Sequence, residues 1–337
     1  METVEILLAT YNGEKYIRQQ IDSILNQDYK QWVINACDDA SKDATYDILM
    51  EYREQYPDKF LIHKNQVGFG SAKLNFMNLI KNSTGRYVMC CDQDDVWLPN
   101  KISLTLEEMK RNEDENMPVL VHTDLKVVDA ELNVKSESFF EYSKLNKYPT
   151  YRELLIQNSI TGCTMMMNRP LIELLKEELN MSHILMHDWV AALVASASGK
   201  IGFVDCPTML YRQHGVNSVG AKQYGPALFI TKLKNSEIRK SLEETAKQAG
   251  AIARAYQGKM EQGLYELTYE YAKVFEKNKV LIKSDTIQRC INRNFSDFKF
   301  QHRKARCLNR DIKKSIDRMN NSFISNRSLL KYNRQAY

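Results

Sequence analysis

The chain has 337 residues, of which 43% are hydrophobic and 26% charged, with a formal net charge of +5, a composition that suits one large domain or two ordinary ones. Its longest apolar runs are far shorter than the roughly 20 residues that a membrane-spanning helix needs, so we expect no membrane-spanning helix. Seven cysteines without metal-ligand spacing, and no basic segment followed by an apolar run at the amino terminus, predict a cytoplasmic protein.

The first hundred residues alternate apolar runs with helical patterns. In chain order they predict a strand over 4–9, a turn over 10–13, a helix over 17–25, a strand over 32–37, a helix around 48–52 and a strand over 86–90. Polar residues follow each strand. This order is typical of a parallel sheet in an α/β protein.

Three carboxylates, Asp92, Asp94 and Asp95, directly follow the apolar strand 86–90. They fall at the carboxyl end of that strand, where open α/β sheets bind their ligands. Hard oxygen ligands suit Mg²⁺ or Mn²⁺, ions that complete their shell with phosphate oxygens. The cluster therefore predicts a metal and a nucleoside diphosphate compound. The alternative is a solvated acidic turn.

The later elements are a strand from 118, a loop or hairpin insertion over 129–151, a strand over 162–167, helices over 171–179 and 188–197, and a short strand over 199–204. Beyond residue 224 the apolar spacing is helical. We therefore predict a domain of residues 1–224, with a nucleotide-binding half over 1–100 and an acceptor half over 101–224. A helical basic region over 225–337 follows it.

Charge is concentrated at the end of the chain. Residues Leu281 to Tyr337 contain fourteen Lys and Arg against four Asp, a local excess of +10. With Leu308, Ile312 and Ile316 on one helical stripe, this region fits either peripheral attachment to an anionic membrane surface or a solvated helix face. No nucleic-acid motif accompanies the charge, so we expect no nucleic acid partner.

Several motifs in order resemble those of the family 2 glycosyltransferases, which have the GT-A fold. They are Ala9-Thr10-Tyr11-Asn12-Gly13, Cys37-Asp38-Asp39-Ala40-Ser41, Gly68 with Lys73 and Asn75, Asp92 to Asp95, Met186-His187-Asp188-Trp189, and Tyr211-Arg212-Gln213-His214-Gly215. The run from Asp92 to Trp97 is similar to the bacterial rhamnosyltransferase-like branch.

The resemblance implies an inverting, metal-dependent glycosyltransferase of cell-surface or capsule polysaccharide biosynthesis. Its donor would be dTDP-rhamnose, with UDP-hexoses left open, and its acceptor a lipid-linked saccharide presented at the inner face of the cell membrane. A sugar-1-phosphate nucleotidyltransferase is an alternative, but its glycine-rich phosphate loop is absent. A catalytically silent partner protein is a third class, against which the intact acidic residues argue.

We expect a nucleotide site at the ends of the first two strands. Asp38 would accept a hydrogen bond from a pyrimidine ring N–H, and Thr10, Tyr11 and Asn12 lie on the neighbouring loop. Lys73 is expected near the base or a phosphate, and Arg212 near the phosphates. For Asp39 together with Ser41, a nucleotide contact and a turn with a helix cap both remain open.

The resemblance places the catalytic base on Asp188 and the metal ligands on Asp94, Asp92 and His214, with Asp92 facing the ribose or sharing the metal. Asp188 as a helix N-cap is the structural alternative. Trp189 is either a platform for the acceptor or a core residue. The resemblance also implies a mobile lid after His214, with Gly215 and Gly220 as hinges.

Overall fold

The computed structural model describes residues 2–114, 116–214 and 235–277. Strands β1 to β9 span Val4–Thr10, Trp32–Asp38, Phe60–Lys64, Tyr87–Cys91, Val96–Trp97, Val119–Val128, Val134–Ser136, Met166–Asn168 and Lys200–Arg212. Helices α1 to α10 span Ile17–Leu25, Thr45–Gln55, Ala72–Asn82, Lys101–Asn112, Phe139–Ser143, Tyr151–Leu154, Arg169–Leu175, His187–Ser198, Asn235–Ala255 and Gln262–Lys277.

In the described part of the chain, nine strands form one mixed sheet. Its order is β3-β2-β1-β4-β8-β6-β9-β5, and β7 pairs with β6. Strands β3, β2, β1 and β4 are parallel, as are β6 and β9, whereas β8 and β5 run antiparallel to their neighbours. The predicted α/β class with a mainly parallel sheet is confirmed.

Helices cover both faces of the sheet because their apolar stripes match it. On one face, Ile17, Ile21 and Ile24 of α1 are fully buried in a cluster that also contains side chains of α2 and α4. On the other face, α3, α7 and α8 form a larger cluster, to which Ile252 of α9 and Tyr256, the residue after α9, also belong. Burial of apolar area on both faces stabilises the layered arrangement.

The register of the parallel strands brings their carboxyl ends to one edge. Thr10 pairs with Asp38 between β1 and β2, and Leu8 pairs with Cys91 between β1 and β4. Asp92 follows Cys91 directly, so Thr10, Asp38 and Asp92 emerge at the same edge, as open parallel sheets require of a ligand site.

Several predicted elements differ from those observed. The strand over 162–167 is wrong in its first half: residues Gly162–Thr164 form a 3-10 turn, and β8 begins at Met166. The segment 129–151 contains the predicted hairpin strand, β7, and also the short helix α5. The strand predicted over 199–204 is much longer in the structure, where β9 continues through Pro207 to Arg212. Its pairing with β6 shifts register at Asp124.

The carboxyl-terminal helices contribute to the main domain. Residues 242–274 belong to the same compact unit as the sheet. The boundary near residue 224 stays a prediction, and residues 278–337, which include the basic segment from Leu281 onward, lie outside the described part of the chain. Within that part, no helix is both long enough and apolar enough to span a membrane.

Glu5 is a buried carboxylate near the amino end of β1, whereas the acidic cluster lies at the carboxyl ends of the strands. Its hydrogen bonds lead to a prediction about stability. It accepts hydrogen bonds from Asn35 Nδ2 (2.8 Å) and from the backbone N–H groups of Thr84 (2.9 Å) and Gly85 (2.6 Å). Glu5→Ala leaves these donors unpaired and should lower the free energy of unfolding by about 3 kcal/mol.

Chemical denaturation measures this loss. Glu54→Ala, at an exposed position of α2, is the control and should change the free energy of unfolding by less than about 0.5 kcal/mol. Equal stability of the two variants would show that the Glu5 contacts contribute nothing.

Candidate functional site

The loop after β2 is built around Asp38. Its side chain is fully buried and accepts hydrogen bonds from Thr10 Oγ1 (3.1 Å), from Ser41 Oγ (2.5 Å) and from Ser41 N (3.0 Å). Tyr11 and Asn12 of the adjacent loop are exposed. In the structure, therefore, Asp38 shapes the loop, while Tyr11 and Asn12 present accessible side chains. A contact of Asp38 with the base stays a prediction.

Asp39 holds the loop over residues 65–70. Its carboxylate accepts hydrogen bonds from Asn65 Nδ2 (2.8 Å) and from the backbone N–H groups of Phe69 (2.7 Å) and Gly70 (3.0 Å). Helix α2 begins at Thr45, so the alternative that Asp39 or Ser41 caps this helix is wrong. Whether Asp39 also contacts a nucleotide stays a prediction.

The loop after β4 is fastened to the loop after β1 by an amide that sequence reasoning did not assign. Gln93 Oε1 accepts a hydrogen bond from Tyr11 N (2.8 Å), and Gln93 Nε2 donates one to Tyr11 O (2.9 Å). A Cβ atom on Gly13 would lie 2.3 Å from Gln93 Oε1, so any larger residue there would displace the Gln93 amide. The sequence did contain a signal for this contact, because Tyr11 and Gln93 both lie within motifs that carry the family resemblance.

Asp94 and His214, both predicted metal ligands, lie together. His214 Nε2 is 2.6 Å from Asp94 Oδ2, and both side chains are mostly buried. The ring of Tyr16 stacks on the imidazole at a centroid distance of 5.0 Å and orients it. Tyr16 is a further site residue that sequence reasoning missed, because its neighbour lies 198 positions away in the sequence.

Arg212 is buried beneath the loop formed by residues Asp92 to Asp95, here called the acidic loop. Its Nε donates to Asp94 O (2.7 Å), its terminal nitrogens donate to Ala130 O (2.5 Å) and Gln19 Oε1 (2.6 Å), and its backbone N–H donates to Asp95 Oδ1 (3.0 Å). These bonds give Arg212 a role in holding the acidic loop. A contact with phosphate stays a prediction.

A second acidic grouping lies at the base of the loop. Ligand atoms of Asp92, Asp95 and Cys163 all lie within 4.8 Å of one another. Burial, followed by the charges of Asp94 and Asp188, raises the pKa of Asp92 to about 7. Burial also raises the pKa of Asp95 well above its usual range. In the described residues, Asp95 Oδ2 is buried without a hydrogen-bond partner.

These observations fit a divalent cation. Burial also raises the pKa of the Cys163 thiol, so the thiol stays protonated and is a poor ligand. The carboxylates of Asp92, Asp94 and Asp95 are the hard oxygen ligands that suit Mg²⁺ or Mn²⁺, and the His214 imidazole lies beside Asp94. The fully buried Lys101 is a second cation near this group, besides Arg212, and burial lowers its pKa to about 8.

Asp188 is the second residue of α8 and faces the acidic loop. Met186 is the N-cap of this helix, so the alternative that Asp188 caps it is wrong. Asp188 Oδ2 accepts a hydrogen bond from Gly162 N (3.0 Å), while Oδ1 is buried without a partner in the described residues. Burial raises the pKa of Asp188 to about 6, which is suitable for a general base near neutral pH.

The neighbours of Asp188 are held by packing. The His187 ring stacks on Phe76 at 4.2 Å, and burial lowers its pKa to about 3, so it is neutral. Trp189 donates from Nε1 to Leu154 O (2.5 Å) and packs against the larger apolar cluster. These contacts accord with the core alternative for Trp189, and its contact with an acceptor stays a prediction.

Lys73 is the predicted site residue whose surroundings differ most from expectation. Its Nζ donates to Met181 O (3.0 Å) and Ile184 O (2.5 Å), two carbonyls of the segment that precedes α8. Burial lowers its pKa. The structure thus places Lys73 beside the helix that carries Asp188, and its contact with base or phosphate stays a prediction.

Residues 5–175 match the family model described as glycosyl transferase family 2. The chain is 31% identical over 270 residues to the dTDP-rhamnosyl transferase RfbG of Shigella flexneri, an alignment that covers 73% of this chain and 84% of the relative. It is 30% identical over 109 residues to the UDP-Glc:alpha-D-GlcNAc-diphosphoundecaprenol beta-1,3-glucosyltransferase WfgD of Escherichia coli, covering 32% of this chain and 42% of that relative.

Solved structures share the GT-A fold. Staphylococcus aureus TarS residues 1–349, in complex with UDP-GlcNAc, has a TM-score of 0.53 at 15% identity, covering 88% of this chain and 80% of that one. The mannosyltransferase PcManGT of Pyrobaculum calidifontis, in complex with GDP-Man and Mn²⁺, has a TM-score of 0.51 at 14% identity. The match covers 90% of this chain and 77% of the mannosyltransferase chain. These likenesses confirm the fold prediction.

Proposed function

Because this chain belongs to glycosyltransferase family 2, we propose that it transfers a sugar from a nucleoside diphosphate sugar to a saccharide hydroxyl with inversion at the anomeric carbon. One observation carries the proposal. The carboxylate of Asp188 accepts the N–H of Gly162, and the next residue, Cys163, has its Sγ within 4.8 Å of ligand atoms of Asp92 and Asp95 in the acidic loop after β4. The proposed diphosphate site and the proposed base would therefore adjoin.

The donor nucleotide would lie across the ends of β1 and β2. Tyr11 and Asn12 offer exposed side chains there, and Gln93 ties their loop to the acidic loop. Asp38 links Thr10 to the loop after β2, and Asp39 holds the loop over residues 65–70, through the hydrogen bonds described above. The rigid loops would hold the base and ribose in a fixed orientation relative to the reacting carbon, which favours reaction.

Asp94, Asp92 and His214 would hold Mg²⁺ or Mn²⁺. A divalent cation bound there compensates the negative charge that grows on the departing diphosphate. Arg212 and Tyr16 would orient these ligands, because the first binds the backbone of the loop and the second stacks on the imidazole. The ligands are then arranged before substrate arrives.

Asp188 would take the proton from the attacking acceptor hydroxyl. Its buried Oδ1, which has no hydrogen-bond partner among the described residues, is the candidate acceptor of that proton, while the Gly162 N–H fixes Oδ2. The raised pKa makes the carboxylate more basic without preventing its ionisation at neutral pH. Trp189 is proposed to line the acceptor side.

We propose dTDP-rhamnose as the donor, with a UDP-hexose as the alternative. The first assignment is supported by the relative named as a dTDP-rhamnosyl transferase, whose alignment covers 73% of this chain, and the second by a relative that matches 32% of it. The name of the second relative also supports a lipid-linked saccharide acceptor. Synthesis of cell-surface polysaccharide or capsule at the cytoplasmic side of the membrane follows from such substrates.

A panel of nucleotide sugars tests this function. The protein is incubated with Mn²⁺ and with dTDP-rhamnose, UDP-glucose, UDP-GlcNAc or GDP-mannose, and mass spectrometry detects the released nucleoside diphosphate. Release of dTDP from dTDP-rhamnose at the highest rate supports the proposal. A faster release of UDP from a UDP-hexose would replace dTDP-rhamnose as the proposed donor. Release of no nucleoside diphosphate from any of the four sugars would contradict both donor assignments.

The basic carboxyl-terminal region is proposed to attach the protein to an anionic membrane surface. Replacing Arg303, Lys304 and Arg306 with Gln should weaken binding to phosphatidylserine vesicles roughly 100-fold at low salt, because each basic residue near such a surface contributes about 1 kcal/mol. Vesicle co-sedimentation measures this binding, and high salt should abolish the difference.

The matched control replaces exposed basic residues of the main domain, namely Arg53, Lys81 and Lys110, with Gln. It changes the net charge equally. Equal weakening by both triple variants would show a general charge effect, and the solvated-helix alternative for the basic region would then stand.

A further inference from the structure

Residues 180–186, here called the approach loop, lead directly into α8, whose second residue is Asp188. Two side chains from different helices hold its backbone. Lys73 of α3 donates to Met181 O (3.0 Å) and Ile184 O (2.5 Å), and Gln248 of α9 accepts from Leu185 N (2.8 Å). The loop is thus fixed from both sides within a few residues of the proposed base.

Lys73 and Gln248 are suited to this task by burial. Gln248 is fully buried, and Lys73 is partly withdrawn from water. Hydrogen bonds in such surroundings are stronger than in solvent. Without Lys73, Ile184 O loses its 2.5 Å donor and Met181 O keeps the N–H of Ile184 (3.3 Å), while without Gln248 the N–H of Leu185 loses its acceptor. Loss of either side chain should therefore loosen the approach loop while the sheet stays intact.

Helix α3 contacts the segment again one turn later. Phe76, three residues after Lys73, stacks on the ring of His187. In the described residues neither ring nitrogen of His187 has a hydrogen-bond partner, so packing alone places this residue. Asp188 comes next, so its position depends on how α3 and α9 hold the residues before it.

We propose that Lys73 and Gln248 are positioning residues, which fix the approach loop and thereby set the Asp188 carboxylate opposite Asp92. This inference rests on the proposed function of Asp188. It assigns Lys73 an action through backbone carbonyls and not on a phosphate. It also makes α9, which lies beyond the residues that match the family model, part of the machinery for transfer.

Lys73→Met tests the first residue, since it keeps the length of the side chain and removes its donors. We expect kcat to fall roughly 10- to 100-fold, because a displacement of about 1 Å in a catalytic group can cost that much. The dissociation constants of dTDP and UDP with Mn²⁺, measured by calorimetry, should change less than about twofold. Lys73→Arg should restore much of kcat, because its guanidinium can donate to both carbonyls.

Lys59→Met is the matched control. Lys59 Nζ also donates to two backbone carbonyls, those of Lys30 (2.7 Å) and Trp32 (3.1 Å), and burial likewise lowers its pKa. It lies at the other edge of the sheet, beside the start of β2. Its loss should leave kcat within about twofold of the parent protein, which separates positioning from a general loss of stability.

Gln248→Leu tests the second residue and completes a double-mutant cycle. Because both side chains hold one loop, the double variant should lose little more kcat than the worse single variant. Full multiplication of the two losses would mean that the residues act independently, which overturns the shared role.

Hydrogen exchange of residues 181–188, measured without substrate, separates this inference from the proposed function. Faster exchange there in Lys73→Met, but not in Lys59→Met, supports the hold on the loop even if no donor is turned over. Unchanged exchange overturns it. A tenfold or larger loss of dTDP and UDP affinity with unchanged exchange would instead assign Lys73 to the phosphates.

Discussion

Asp94→Ala is expected to abolish sugar transfer, lowering kcat by about 10³-fold or more, while the protein stays folded. The substitution removes the carboxylate that lies 2.6 Å from His214 Nε2. Charge compensation for the departing diphosphate is worth several kcal/mol in such sites. The fold should survive, because the bonds of Arg212 to Asp94 O and to Asp95 do not involve the Asp94 side chain.

Transfer rates with Mn²⁺ and the melting temperature together measure this effect. Asp58→Ala, at an exposed position before β3, is the control and should retain full activity. Transfer by the parent protein that persists unchanged in excess EDTA would contradict the assignment of the acidic loop to a metal, whatever the variant does.

Asp188→Asn is expected to lower kcat roughly 10²- to 10⁴-fold with donor affinity nearly unchanged. The amide keeps the shape of the side chain and can still accept the Gly162 N–H, but it cannot take a proton from the acceptor. Because burial disfavours the charged form of Asp188, the variant should melt no lower than the parent protein at neutral pH.

The pH dependence supplies a second signature of the base. The folded pKa of Asp188, about 6, lies above the usual value for an aspartate, so kcat of the parent protein should rise with pH through about 6 and then level off. The residual activity of the Asn variant should lack this rise. Asp92, whose pKa is raised to about 7 by burial and then by the charges of Asp94 and Asp188, should titrate lower once a cation is bound.

Asp22→Asn is the control for this substitution. The Asp22 side chain lies on α1 and accepts a hydrogen bond from Tyr52 Oη (2.6 Å), away from the proposed site. The kcat of the Asp22→Asn variant should therefore stay within about twofold of the parent value. A collapse of donor binding in Asp188→Asn, with the pH profile unchanged, would move Asp188 to the nucleotide site.

The position of the site at the carboxyl ends of the parallel strands could be predicted, because it depends on local sequence patterns. The apolar run before Asp92 and the alternation of strands with helices indicated the parallel sheet, and the register confirms that the strand ends meet. The error at 162–167 has a distant cause. Gly162 donates its N–H to Asp188, 26 residues away, and the chain forms a 3-10 turn there in place of a strand.

The roles of the basic side chains could not be predicted in the same way. Lys73 and Arg212 stand in motifs that suggest phosphate, but the structure surrounds both with backbone carbonyls. A sequence does not show where carbonyls of distant segments will point. Gln93 was missed for the related reason that its partners belong to the backbone of another loop.

Proton NMR of the anomeric signal during transfer, with whichever nucleotide sugar the panel identifies as donor, examines the single displacement by which Asp188 would act. The proposed mechanism predicts that the first product formed has the anomeric configuration opposite to that of the donor sugar. A first product with the donor's own configuration would contradict it, because retention requires a different role for the residues around Asp188.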